Sequence, residues 1–428
     1  MKYNKISLPT YNIHVVETKK FKTVTVKVNF KRLLKKEEIA YRNVLINVLC
    51  ESTADYPTKR LMEMATEDLY DLSYQGSNYI SGKYSVVGFD IVFLNEKYTE
   101  ASMFEKSIDF LISMLFHPNL DSSKTSKKFN NRAFDMAYNL LESNLKSLKE
   151  SPSMYSRMRM LECMEPNSET SFRSCGYMED LEKIDSRKLY KYYEGMLKKD
   201  IVDIFVIGDV KTDKVAKIIE EKFRLNTLKK QSDSHFIVSK SRRLLPKTTK
   251  EKSNYSQSQL VMGYKMLNLT DFELRYVLNV YSYILGGGPD SKLFKNVREK
   301  NSLCYTISST GQPLNSIMII SAGIDAKNFN KTVSLVKKEV KQMLKGNFTD
   351  DDIIKAKVTY LNSLKELEDN PQSILSMYVG MEYLNSHDMN MRINNINKVT
   401  KSDVVALANK IHLDTIYLLE GGEKVEKT

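Results

Sequence analysis

Metal, thiol and phosphate chemistry each demand a recognisable spacing of side chains. The five histidines, His14, His117, His235, His387 and His412, are so dispersed that no two fall within one helical turn, which excludes a helical His pair gripping a metal. The four cysteines, Cys50, Cys163, Cys175 and Cys304, show neither Cys-x-x-Cys spacing nor a disulfide framework and are expected to be reduced, mostly buried thiols. Residues 285–305 read Leu-Gly-Gly-Gly-Pro-Asp-Ser-Lys-Leu-Phe-Lys-Asn-Val-Arg-Glu-Lys-Asn-Ser-Leu-Cys-Tyr. The glycines are not a phosphate loop, because no Gly-Lys-Ser/Thr follows at the required spacing. On spacing alone, Arg298 and Tyr305 are surface residues more often than catalytic ones.

The elements around this string follow from periodicity. Gly286 is expected to take the left-handed position that ends a helix over 272–285. Pro289 enforces a turn, Asp290 or Ser291 can cap a short helix that turns Leu293, Phe294 and Val297 inward, and Tyr305 opens a strand. Elsewhere Val24, Val26, Val28 and Phe30 alternate, which predicts a half-buried strand over 23–30. A helix is expected over 37–50, a strand over 84–94 and an amphipathic helix over 104–116.

The same order returns later: strand 259–266, helix 272–285, strand 316–325 and helix 333–344. Leu145-Lys-Ser-Leu-Lys-Glu-Ser-Pro152 matches Leu364-Lys-Glu-Leu-Glu-Asp-Asn-Pro371, each late in a long helical pattern that the proline closes or restarts. Asp185 and Thr400 stand where each can cap the last helix of its half, and closing strands follow over 201–207 and 415–419. The expected fold is α+β: two homologous domains, each an antiparallel sheet with helices on one face. The expected division is 1–225, a linker over 226–254, and 255–428.

The 428 residues carry a formal charge of +12, with 42% hydrophobic and 28% charged residues, so a folded core in each half is expected. The lysines are spread along the chain, and their densest cluster, Lys240 to Lys252 with Arg242 and Arg243, lies in a Ser- and Thr-rich stretch that reads as a solvated linker. Charge alone is a poor argument for nucleic acid. Apolar runs such as Val44 to Cys50 are far shorter than the roughly 20 residues of a membrane span, and no apolar leader follows Met1. A cytoplasmic protein with neither nucleic-acid nor membrane partner is the expectation.

The whole string from Leu285 to Tyr305 resembles the second-domain signature of the insulinase/pitrilysin metallopeptidases, which include the mitochondrial processing peptidases. The resemblance implies their fold of two homologous α+β domains. It also implies that Arg298 holds the substrate main chain and that Tyr305 donates a hydrogen bond to the oxyanion of the tetrahedral intermediate. Ser302 replaces a usual Gly, and Cys304 a small residue.

The family's zinc motif, His-x-x-Glu-His, belongs on the first domain's helix. Aligning Leu49-Cys-Glu-Ser-Thr53 and Tyr56-Pro57 with the family places it on Asn43-Val-Leu-Ile-Asn47. Both histidines become asparagines, Asn43 and Asn47, and the glutamate becomes Ile46. Glu142 or Asp135 stands near the distal carboxylate's position. No zinc is expected in this chain. The resemblance therefore points to the non-catalytic subunit of a heterodimeric zinc peptidase. Its partner would be a homologous subunit bearing His-x-x-Glu-His and the zinc, its substrate a peptide, and a homodimer could form when that partner is missing. The alternative is a catalytically dead structural or peptide-binding scaffold of the same fold.

Overall fold

The structure, a computed structural model, describes residues 1–123, 126–225 and 233–422. The chain begins β1 (Lys2–Ser7), β2 (Tyr11–Glu17), β3 (Thr23–Leu33), α1 (Ile39–Glu51), α2 (Lys59–Glu67), β4 (Ser73–Ser81), β5 (Tyr84–Leu94) and α3 (Met103–Phe116). There follow β6 (Leu120–Ser123), β7 (Ser126–Phe129), α4 (Asn131–Lys146), α5 (Pro152–Met164), α6 (Met178–Leu181), α7 (Ser186–Lys199), β8 (Ile201–Gly208) and α8 (Thr212–Lys222). The remainder is β9 (Lys247–Ser253), β10 (Ser258–Met266), α9 (Leu278–Gly286), β11 (Cys304–Gln312), β12 (Ile317–Ile324) and α10 (Phe329–Leu344). It ends with α11 (Asp350–Leu367), α12 (Pro371–Leu384), α13 (Met389–Lys398), α14 (Lys401–Ala408) and β13 (Ile411–Gly421).

The repeated order of elements is present, and so are the two caps. Asp185 accepts from the amides of Arg187 and Lys188 at the start of α7, and Thr400 forms a reciprocal capping box with Asp403 on α14.

Two larger sheets result, ordered β1-β2-β8-β3-β5-β4 and β11-β12-β10-β13-β9. Each is mixed rather than purely antiparallel. Hairpins make β1–β2, β4–β5 and β11–β12 antiparallel, whereas β2 meets β8, and β13 meets β9, in parallel. Both parallel pairs join strands from the two ends of a unit, which no tight turn connects.

Helices also cover both faces. β3 turns Val24, Val26, Val28 and Phe30 into the core as expected, yet Thr25, Asn29 and Lys31 on its other face are buried too. The cover there is α12, whose Ile374, Leu375 and Tyr383 pack on Val16, Val86, Phe205 and Ile207. In the second sheet, Met160 and Met164 of α5 pack with Val261, Ile317, Ile319, Tyr417 and Leu419. Each such apolar side chain taken from water contributes about 1.5–3 kcal/mol.

The compact units are consequently not contiguous in sequence. One comprises Met1–Lys146, Arg173–Ser234 and Glu368–Leu384; the other comprises Ser147–Phe172, His235–Leu367 and Asn385–Thr428. The expected division at a 226–254 linker differs from this, because each half of the chain lends a helix to the other unit. Residues 226–232 of that linker lie outside the described residues, while 247–253 form β9. The two matching proline motifs mark the crossings: Pro152 opens α5 and Pro371 opens α12. Proline suits the first helical turn, where its missing N–H forfeits no bond.

All four cysteines are free thiols, only Cys304 being fully buried and the others half-buried. Burial pushes the Cys50 thiol up to about 12 and the Cys304 thiol up to about 11, so neither offers a thiolate near neutral pH.

Candidate functional site

α1 is fixed to its sheet by Arg42, a buried guanidinium that bonds Asp200 at 2.8 and 2.9 Å, the Ser85 hydroxyl at 3.0 Å and the Phe30 carbonyl at 3.2 Å. Arg32 reaches the same carboxylate, so two cations share one buried Asp200. The next residues are those expected at the vestigial zinc position. Asn43 Nδ2 donates to the Ile39 carbonyl at 3.0 Å and to the Ser174 carbonyl at 2.9 Å. Asn47 Nδ2 donates to the Asn43 carbonyl at 3.0 Å.

Ile46, 5% exposed, presses against Gly76 of β4, where an added Cβ would lie 2.1 Å from its Cγ2 atom. These residues do not fit zinc. Both amide nitrogens are committed to carbonyls, the remaining ligand atoms are weakly basic amide oxygens, and the position that must move a proton is a hydrocarbon. On α4, Glu142 is paired with Lys146 at 2.9 Å and Asp135 is exposed. Neither enters a cluster of metal-ligating groups among the described residues.

Arg298 and Tyr305 are differently placed. Arg298 lies in a turn of helix, Phe294–Glu299, wound with i→i+5 hydrogen bonds, a rare form that recurs at functional sites. Its guanidinium stands 4.5 Å over the Phe294 ring and is exposed. Tyr305 sits at a bulge of β11, where the pairing with β12 slips between Cys304 and Thr306. A bulge re-aims the side chain of its extra residue, and Tyr305 is 60% exposed. Among the described residues neither side chain has a hydrogen-bond or ion-pair partner.

Ser302, in the place of the family's usual Gly, has φ +48°, which explains why glycine suits that position. Gly286 departs from expectation. It is the last residue of α9 and has no positive φ; what it provides is close approach, since a Cβ there would lie 2.6 Å from the Ser309 amide nitrogen. Ser291, rather than Asp290, caps the short helix, accepting weakly from the Phe294 amide at 3.4 Å.

The profile of the Peptidase M16 inactive domain matches residues 183–360. A relative from Bacillus subtilis (strain 168), named probable inactive metalloprotease YmfF, is 28% identical over 417 residues, 96% of either chain. The chain is a homologue of the M16 peptidases. Solved structures carry the same fold. A conserved protein from Enterococcus faecalis V583 superposes with TM-score 0.92 at 25% identity, covering 99% of this chain and 100% of that one. A Peptidase M16 inactive domain from Pseudomonas fluorescens superposes with TM-score 0.79 at 15% identity, covering 99% of each.

Two further constellations in this M16 homologue have no local sequence signal. His14, Asp203 and Glu382 bring one potential ligand atom each within 4.8 Å of one another, His14 and Asp203 being fully buried. Lys31 lies 3.8 Å from Asp203 and Lys5 holds Glu382 at 2.7 Å, so two ammonium groups already balance the two carboxylates. Tyr3 bonds His14 Nδ1 at 2.7 Å, Asn12 donates to Asp203 at 2.7 Å, and Lys31 stands 3.6 Å from the Tyr383 ring. The cluster is a polar clasp that holds α12 on the sheet.

The second constellation is Ser113, Asp55 and His117. The Ser113 hydroxyl and His117 Nδ1 both meet Asp55 Oδ2, at 2.6 and 2.7 Å, so the imidazole does not face the hydroxyl as a general base must. The group ties α3 to the loop after α1 instead.

Proposed function

We propose that this chain is the zinc-less subunit of a heterodimeric M16 peptidase, lending Arg298 and Tyr305 to the active site of a homologous partner that bears His-x-x-Glu-His. The observation that carries this reading is an asymmetry of engagement. The amide nitrogens of Asn43 and Asn47 are spent within their own unit and Ile46 is packed away, whereas the side chains of Arg298 and Tyr305 are exposed and, among the described residues, their donors are uncommitted.

In the assembled site, Arg298 would hold main-chain carbonyls of the bound peptide through its fixed array of donors. The Tyr305 phenol would donate to the oxygen on which negative charge develops, an interaction stronger in the transition state than in the bound peptide, which therefore accelerates the step. Generation of the nucleophile falls wholly to the zinc-bearing partner. An extended peptide can add to the free edge of a sheet, gaining main-chain hydrogen bonds with loose side-chain selection. β4 and β11 are such edges in this chain. Processing or degradation of short unfolded peptides in the cytoplasm fits that mode.

The test is reconstitution. The purified chain alone is expected to cleave nothing and to hold no stoichiometric zinc by metal analysis. Mixed with its His-x-x-Glu-His homologue it is expected to yield a peptidase whose turnover falls about 10²-fold on Tyr305→Phe. Full activity of the Phe variant would favour the scaffold reading.

A further inference from the structure

The segment Lys240–Lys252 reads from its composition as a solvated linker, and the structure gives it a different character. Leu244 and Leu245 are 94% and 83% exposed, the most exposed large hydrophobic side chains among the described residues. They are not adrift. On one side the Arg243 guanidinium is fastened to Asp414, to the Thr415 hydroxyl at 3.0 Å and to the carbonyls of Cys163 and Met164 at 3.3 and 3.2 Å. Arg242 meets His412 at 2.6 Å. On the other side, Pro246 leads directly into β9, which pairs with β13 from Lys247 onward. The two leucines are thus displayed at a tip held at both flanks, with little conformational entropy left to lose on docking.

Charge surrounds the tip. Lys240, Arg242 and Lys247 are exposed within a few residues of the leucines, and Lys250 and Lys252 follow on β9. The one carboxylate in the segment, Glu251, is already held by Arg159 and by the Tyr155 and Tyr417 hydroxyls. We infer that this segment is a peripheral docking tip for an anionic lipid bilayer, with Leu244 and Leu245 entering the interfacial region while the surrounding cations meet the headgroups.

Two considerations select a bilayer over a protein. A stable protein interface buries about 800 Å² on each partner, far more than a pair of leucines supplies. A bilayer needs no shape-matched surface, and attraction to anionic lipid accumulates with each nearby Lys or Arg. No helix among the described residues is long and apolar enough to cross a membrane, so the association is with the surface only.

The test is flotation of the full chain with vesicles of phosphatidylcholine alone, or with about one third phosphatidylglycerol, at low and high salt. Binding is expected only to the anionic vesicles and to weaken with salt. Leu244→Ser with Leu245→Ser is expected to lower partitioning about tenfold, and Lys240→Gln with Lys247→Gln to lower it as well. Circular dichroism and the thermal midpoint should be unchanged, since these side chains are exposed. Absence of binding to anionic vesicles, or undiminished binding by the Leu variant, overturns the inference. Loss of an oligomer by the Leu variant in size-exclusion chromatography, without vesicle binding by the parent, assigns the tip to a protein contact and overturns it equally. None of these outcomes depends on peptidase activity.

Discussion

Ile46 is the residue at which recovery of a zinc site would fail first. Its methyl groups fill the space that Gly76 leaves between α1 and β4. Ile46→Glu would put a carboxylate at a position only 5% exposed and already tight against Gly76, so we expect a loss of about 3 kcal/mol in urea denaturation, even with Asn43→His and Asn47→His supplied alongside.

Asp55 illustrates the opposite case, a carboxylate whose neighbours favour its charge. The Ser113 hydroxyl, and then His117, hold it below the usual carboxylate range. A carboxyl depressed on folding adds stability above its unfolded pKa and loses it as pH falls through the folded value. Ser113→Ala should therefore differ most from the parent near neutral pH. The gap in denaturant midpoint should narrow toward about pH 3, and a gap independent of pH would refute the assignment. These residue-scale facts divide sharply in legibility. The absence of ligands at Asn43, Ile46 and Asn47 can be read from residue types alone, but where an amide nitrogen points, or that Asp55 will meet Ser113, depends on loops whose course no local pattern records.

At the scale of elements, alternation and helical period place the strands and helices named from the sequence to within a few residues, because burial of one face imposes a period that the sequence must obey. β1, β2 and β4 are not among them, and β9 lies in the stretch that reads as a linker. Two features escape such reading. The bulge at Tyr305 and the widened helical turn before it are matters of hydrogen-bond register, and register leaves no compositional trace. The glycine turn is the reverse: visible in sequence, yet present for a different reason. Gly286 admits the backbone of β11 at the end of α9, so Gly286→Ala must push on main-chain atoms that cannot rotate away. We expect it to cost about 1–3 kcal/mol and to displace the strand that carries Tyr305. A lowered thermal midpoint, together with shifted amide resonances over 304–312, would register both effects. Gly288 has open space around the position of a Cβ and serves as the control.

For the molecule as a whole, repetition of element order was legible because each half repeats a pattern of burial, and the paired proline motifs were its clearest trace. What the repeat could not convey was that the helix after each proline departs for the other unit, since a helix carries no label for the sheet it will cover. The same limit hid the clasp of His14, Asp203 and Glu382, three residues brought together from distant parts of the chain. Asp203→Ala removes the carboxylate that stands 3.8 Å from the buried Lys31 ammonium, and we expect about 3 kcal/mol to be lost. Hydrogen exchange should rise over 371–384 before other regions if α12 depends on the clasp. Uniform exchange across the unit would mean that apolar packing alone holds that helix.

The exchange of α5 and α12 also governs how such a chain can be made. A nascent chain leaving the ribosome would have every strand of its first sheet by Gly208, yet that sheet's second face would stay uncovered until Leu384 had emerged. At about 5–20 residues per second the delay lasts many seconds, through which the polar residues on that face, Asn29 and Lys31 among them, would keep the waiting surface wet and less prone to aggregate.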